Sequence, residues 1–343
     1  MSTQRAVIHE AKDIAKLSND VPLPKLSAKN WLLVKTKAVA LNPTDWKAIA
    51  SRPSPGSIAG CDYAGIVEEV GKDVTDVKVG DRVAGFVRGG DPNDKSNGAF
   101  AEHIKVKAGC FAKIGDSLSF EDAATLGVGI TTVGQGLFQS LGLPLPPNKV
   151  QEPTPILIYG ASTATGTLAI QYAKLVGCEV FATASPRNFD LLRKLGADYV
   201  FDYKEADVGT KIRKASNDKL KLVFDCISEG NSFDIGTAAI SSSGGHLSAL
   251  LPPPEDFPRK DVKASFTLGY TALGEHFSEK VPANQTDYEF GAKFWKIAEG
   301  LLNSGKIKPH PAEVRKGLEG VPQGLQDLKN GKVSGVKLVF TVE

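Results

Sequence analysis

Residues 155–171 read Pro-Ile-Leu-Ile-Tyr-Gly-Ala-Ser-Thr-Ala-Thr-Gly-Thr-Leu-Ala-Ile-Gln. A short apolar run stops at Gly160, a loop of small residues follows, and the pattern predicts a helix from about Thr165. Such a turn lets backbone come close to an anion. Ser162, Thr163, Ala164 and Thr165 carry small side chains, and the first N–H groups of a helix have no partner within it. The chemistry this suits is binding of a dinucleotide pyrophosphate. Gly160 and Gly166 lie six apart with Ala164 at the centre, a departure from the strict glycine fingerprint, so the surrounding elements must carry the assignment.

They do so by spacing. Glu179–Ser185 is a second apolar run, at the distance a strand–helix–strand unit needs, and Leu191–Asp198 reads as a helix with a stop at Gly196. The second strand ends in Ser185-Pro186-Arg187-Asn188, without the acidic residue that would grip a ribose 2′-hydroxyl. A serine and an arginine suit a 2′-phosphate, which predicts NADPH.

Upstream, to about residue 125, short β-like runs separated by turn residues (Trp31–Thr36, Ala64–Val70, Asp81–Phe86) suggest a compact barrel-like domain. From about Leu126 helices and strands alternate, with strands expected at Ile156–Tyr159, Val180–Ala184, Tyr199–Phe201, Leu222–Asp225, Gly245–Leu250 and Ala264–Leu268. That alternation predicts a doubly wound parallel sheet. Residues 143–153, rich in proline, read as a linker; an amphipathic helix is expected around Phe294–Leu302, a shorter one at Pro322–Lys329, and a last strand at Val336–Phe340. The expected fold is α/β, with one domain from 1–125 and 276–343 and a nucleotide-binding domain over 126–275.

The chain has 343 residues and a net charge of +2, which gives no electrostatic case for nucleic acid or a membrane surface. It has no apolar stretch of about eighteen residues, and its first residues lack the apolar core of a secretory signal, so a cytoplasmic location is expected. Cys61, Cys110, Cys178 and Cys226 are far apart, which argues against a disulfide framework and a structural zinc site.

Several segments together resemble the medium-chain dehydrogenase/reductase superfamily: Asn42-Pro43-Thr44-Asp45-Trp46-Lys47, Gly60–Gly71, Val79-Gly80-Asp81-Arg82-Val83 and Gly129–Gly134. The resemblance implies a GroES-like β-barrel domain beside a Rossmann domain. Zinc alcohol dehydrogenases of that superfamily carry Gly-His-Glu where this chain has Gly60-Cys61-Asp62, and the earlier cysteine ligand is also missing. No third ligand accompanies Cys61 and Asp62, so no metal is expected. The nearer similarity is to fungal trans-acting enoyl reductases of polyketide synthases and their ToxD-like relatives, through Ser162–Thr165, Ser185–Leu191, Val200–Tyr203, Phe224–Ile227, Gly244–His246 and Ser334–Val339. It implies zinc-free, NADPH-dependent saturation of an α,β-unsaturated acyl thioester. The subgroup also holds stand-alone members, so a synthase partner stays open.

The same resemblance implies the site. Lys47 is expected to stabilise charge on the substrate carbonyl, and Thr131 to lie near the nicotinamide. Asp62 and Tyr63 are weaker candidates for proton donation. Asn42, Thr44 and Asp45, the loop Ser162–Thr165, and Leu250, Leu251, Ser334 and Gly335 are expected along the cofactor. Ser185, Arg187, Asn188 and Tyr203 fall to its 2′-phosphate, and Gly269, Tyr270, Thr271 and Leu273 to a wall of the acyl pocket. Two other readings remain at this stage: a quinone or aldehyde reductase using the same site, and a non-catalytic NADPH-binding protein.

Overall fold

The computed structural model describes residues 2–26 and 28–343. They form two compact units, one of residues 1–131 with 270–343 and one of residues 132–269. These divisions fall at 131/132 and 270, not at 125/126 and 276, because long-range partners hold the flanking residues. Trp295 donates to the Thr131 hydroxyl, and Tyr270 is hydrogen-bonded to Thr44.

The first unit begins with a hairpin the sequence reading passed over, β1 (Thr3–Ala11) paired antiparallel with β2 (Ile14–Pro22). Then come β3 (Trp31–Ala40), β4 (Asp62–Val70), β5 (Arg82–Phe86), β6 (His103–Lys107) and β7 (Phe111–Lys113). Along β3, Leu32, Val34 and Thr36 are buried while Lys35 and Lys37 are not, the period-two alternation of a strand with one face on a core. Near its end the alternation stops and Ala38, Val39 and Ala40 are all buried. Ala38, Ala40, Ala64 and Ala84 make a layer of small residues on which the helix Phe120–Ala124 packs through Ala123 and Ala124. The other face encloses a core that includes Ile58, Tyr63, Phe100, Ile104 and Phe340.

In the second unit, β8 (Pro155–Tyr159), β9 (Glu179–Ala184), β10 (Tyr199–Asp202), β11 (Leu222–Asp225), β12 (Gly245–Ala249) and β13 (Val262–Phe266) form one sheet in the order β10-β9-β8-β11-β12-β13. Every pair is parallel. The sheet is therefore doubly wound, its order reverses between β8 and β11, and the loops after these strands share one edge. β13 begins two residues earlier than the apolar pattern suggests, because pairing of Val262 with Gly245 sets the register. The chain returns to the first unit, where β14 (Ala312–Lys316) pairs with β15 (Lys337–Thr341), and β15 with β3. The helix expected at 294–302 runs over Gln285–Asn303. Its first turns are polar and hide the apolar stripe, but Asn284 caps it by accepting from the Asp287 amide at 3.1 Å.

Among the described residues, no helix is long and apolar enough to cross a membrane.

Candidate functional site

The glycine-bearing loop follows β8 at the point where the strand order reverses. Gly160 has φ +68°, which favours glycine, and a Cβ there would also strike Ile227. Gly166 is fixed by contact: a Cβ would lie 2.6 Å from both Ala161 Cα and Gly160 O. Helix Ala164–Leu175 starts directly, with Thr163 as its cap accepting from the Gly166 amide at 3.0 Å. The Ala164 and Thr165 amides sit at the first two helical positions, where no carbonyl of the helix can reach them. Ser162, Thr163, Ala164 and Thr165 are all half-buried, open enough for an anion to approach. This cradle fits a pyrophosphate.

Beside it, Asp202 of β10 pairs with Ala184 of β9. The register brings the residues after them, Ser185 and Tyr203, to neighbouring positions at that edge. Ser185 opens a short turn over Pro186–Asn188, and Arg187 is exposed. The acidic residue nearest this edge, Asp202, is turned onto its own loop, where it accepts from the Lys204 amide at 3.0 Å. At this edge Arg187 offers an exposed cation and Ser185 a half-buried hydroxyl.

The floor of the next loops was not legible in the sequence. Asp225, fully buried at the end of β11, accepts from the Ile227 and Ser228 amides, each at 2.9 Å, and from the Ser232 hydroxyl at 2.6 Å. Ser228 in turn accepts from the Leu250 amide at 2.8 Å. Leu250 and Leu251 are thereby anchored at the same edge as the glycine-bearing loop. The motif Phe224–Ile227 was the only signal for this network.

The second cluster lies within the other unit. Helix Pro43–Ser51 opens with a capping arrangement in which the Asn42 amide donates to Asp45 Oδ2 at 2.7 Å. Asp45 Oδ1 and Asn42 Nδ2 are buried without a partner. Burial, reinforced by the charge of Asp62, pushes the Asp45 carboxyl up to about 7. Thr44 and Lys47 are three apart on this helix, so they share a face. The Lys47 Nζ lies 5.6 Å from the Trp46 ring centroid. Tyr270, in the turn Gly269–Leu273, brings its hydroxyl to 3.0 Å from Thr44 Oγ1 and 3.4 Å from Cys61 Sγ. Its ring stacks on Phe277, with centroids 4.9 Å apart, and tilts against Phe86. In the same turn the Leu273 carbonyl accepts from Lys107 at 2.7 Å, and the Ala272 carbonyl from Cys110 at 3.3 Å. Gly269, Tyr270, Thr271 and Leu273 thus form a held turn, not an extended strand.

Asp62 and Tyr63 are committed elsewhere. Asp62 is fully buried, paired with Lys337 Nζ, and accepts from the Val128 amide at 2.6 Å. The Tyr63 hydroxyl, buried without a partner, lies against Gly85, and its phenol is pushed far above its usual range by burial. Thr131 is buried; its hydroxyl donates to the Gly127 carbonyl at 3.2 Å and accepts from Trp295 Nε1 at 3.1 Å. It therefore has a lone pair to offer and no proton. Ser334, exposed, and Gly335, with φ +71°, form the turn leading into β15.

The donor set around Cys61 does not suit zinc. Asp62 already holds the Lys337 ammonium, and the Cys61 thiol is hydrogen-bonded to the Tyr270 hydroxyl. Among the described residues, no group of three His, Cys, Asp or Glu is placed to hold a metal ion.

Comparison with known proteins agrees with this layout. Residues 28–116 match the family described as alcohol dehydrogenase GroES-like domain, and residues 164–260 that described as zinc-binding dehydrogenase. A trans-enoyl reductase of Alternaria alternata is 57% identical, with both chains covered in full. One from Aspergillus sclerotiorum is 45% identical over 98% of this chain and all of its own. The trans-enoyl reductase TOXD of Cochliobolus carbonum is 51% identical over 82% of this chain and 94% of its own. Among solved structures, an alcohol dehydrogenase superfamily protein from Novosphingobium aromaticivorans superposes with a TM-score of 0.83 at 26% identity, and the CurK enoyl reductase with 0.79 at 19%, all chains fully covered. The second of these likenesses speaks for the fold.

Proposed function

This chain belongs to the trans-enoyl reductase family of the medium-chain dehydrogenase/reductases and is an NAD(P)-dependent oxidoreductase; we propose that it reduces α,β-unsaturated acyl thioesters with NADPH and without zinc. The observation that carries the reading is the filling of the position where zinc-dependent relatives ligate metal: Cys61 is hydrogen-bonded to Tyr270 and Asp62 is paired with Lys337.

When bound, NADPH supplies the hydride that adds to the β-carbon. The chain's residues divide the remaining work. Ser162–Thr165 hold the pyrophosphate through small side chains and helix-start amides. Ser185, Arg187, Asn188 and Tyr203 hold the 2′-phosphate, with Arg187 supplying charge-assisted hydrogen bonds. To the nicotinamide riboside we assign Leu250, Leu251, Ser334, Gly335, Asn42 and Thr44. Asn42 Nδ2, buried without a partner, is a donor awaiting an acceptor. Asp45 serves this end by fixing the Asn42 backbone. Lys47 meets the thioester carbonyl and stabilises the negative charge that forms there as an enolate. Thr131 contributes an acceptor, oriented by Trp295, and Gly269, Tyr270, Thr271 and Leu273 line the acyl chain. Four buried free cysteines suit a reducing compartment, consistent with the cytoplasm. A carrier domain of a separate synthase is the source of the thioester expected from the family.

NADPH oxidation followed at 340 nm in EDTA, with crotonyl thioester, an enone, a quinone and an aldehyde in parallel, tests the reading. Turnover of the thioester that survives chelation is the expected result. Activity confined to quinone or aldehyde overturns it.

A further inference from the structure

Enoyl reduction needs a proton at the α-carbon after the hydride has added. Of the acids in the two active-site segments, Asp45 is turned onto the Asn42 amide, Asp62 is neutralised by Lys337 and Tyr63 lies against Gly85. Lys47 is assigned to the carbonyl oxygen. Tyr270 comes from neither segment, being 226 positions from Thr44 and 209 from Cys61, yet its hydroxyl is hydrogen-bonded into both of them. Thr44 is half-buried and lies one turn before Lys47 on the same helix face. Behind the Tyr270 hydroxyl, Cys61 lies beside the buried Asp45 carboxyl. The Tyr270 ring has little freedom, held between Phe277 and Phe86, and Phe277 is backed in turn by the Arg88 guanidinium 4.3 Å from its centroid.

We propose that Tyr270 is the acid that protonates the α-carbon, with Thr44 and Cys61 holding its hydroxyl in line. The proposal rests on the enoyl reductase reading. The Tyr270 O–H bond breaks and a C–H bond forms at the α-carbon, using the enolate electron pair while the carbonyl re-forms. The resulting tyrosinate is reprotonated by water in a concerted relay through the half-buried Thr44 hydroxyl, which passes one proton on as it receives another. A phenol stays protonated through neutral pH; burial and the Cys61 thiol push it further up, which weakens it as an acid but leaves it far more acidic than the α-carbon C–H it forms.

The test uses the whole chain with crotonyl thioester and NADPH carrying deuterium at C4, in D₂O. The product then bears one label at the β-carbon from the cofactor and one at the α-carbon from solvent, and NMR separates the two diastereomers. The parent enzyme is expected to give one diastereomer. Tyr270→Phe keeps the ring, so it is expected to bind NADPH with the parent's affinity in a fluorescence titration. It should lose about 10²-fold in kcat and give a mixture at the α-carbon. Thr44→Val and Cys61→Ala should slow the reaction less and keep one diastereomer. A Tyr270→Phe enzyme with parental rate and a single diastereomer overturns the proposal, as does a mixture from Thr44→Val alone. If Tyr270→Phe does not fold, judged by its thermal transition, Thr44→Val and Cys61→Ala decide: both parental in rate overturns the proposal, and slower turnover with one diastereomer supports it. Absence of the β-carbon label in the parent enzyme refutes the enoyl reductase reading itself, and this proposal with it; an intact β-label with unaltered α-chemistry refutes this proposal alone.

Discussion

Lys47 and Arg187 carry separable parts of the proposed reaction, one at the carbonyl and one at the cofactor's 2′-phosphate. Lys47→Met should lower kcat by about 10²-fold, the loss expected for one charge-stabilising group, while leaving the NADPH dissociation constant unchanged. Pre-steady-state mixing and a binding titration read the two effects apart. Arg187→Ala should weaken NADPH by about tenfold, the equivalent of one exposed charge-assisted contact, and leave NADH binding as it was. Equal losses for the two cofactors would remove Arg187 from the 2′-phosphate. Both residues were legible because type and local motif single them out. The partners of the cluster were not. Lys337 is 275 positions from Asp62 and Trp295 is 164 from Thr131. No local pattern marks a lysine in a strand as the counter-ion of a distant aspartate, and the same holds for the hydroxyl of Tyr270.

At the scale of elements, the turn after β8 and the start of β4 each depend on a close fit. Gly166→Ala sets a methyl group against Ala161 backbone, and should cost about 1–3 kcal/mol of stability and weaken NADPH binding together. Thermal unfolding and fluorescence titration measure the two. Lys337→Met strands the Asp62 carboxylate in the interior and should cost about 3–5 kcal/mol by urea unfolding; adding Asp62→Asn should restore most of it. If the double variant is no better than the single one, Lys337 acts through packing and not through its charge. The central strands β8, β9 and β11 were readable because they are buried on both faces and appear as unbroken apolar runs. β13 slipped by two residues because cross-strand register, which composition does not encode, sets its start. The first half of helix Gln285–Asn303 was hidden by its polar surface.

For the molecule as a whole, buried titratable groups set the response to pH. Burial, aided by the Arg52 charge, lowers His9 to about 4, and burial with the Lys337 charge does the same to His310. The unfolded chain takes up these protons near pH 6.5 and the folded one only near pH 4, so stability is lost as pH falls through that window. Asp45 has the opposite sign: folded, it keeps its proton up to about 7, so its contribution declines as pH rises from about 4 to 7. His9→Gln should therefore remove about 2 kcal/mol of the stability lost between pH 7 and pH 5, as read by denaturant unfolding at the two values. A variant that tracks the parent at both would show that His9 is charged or solvated in the fold. The two-part α/β architecture was legible from composition and alternation. The placement of the divisions at 131/132 and 270 was not, since it depends on the long-range partners of Thr131 and Tyr270.

The most direct test of the central claim is where the cofactor's hydride goes. With NADPH deuterated at C4 and crotonyl thioester as substrate, in the presence of EDTA, the account predicts butyryl thioester with deuterium at the β-carbon by NMR. Deuterium at the carbonyl carbon, in an aldehyde or alcohol product, or turnover that stops on chelation, would contradict it.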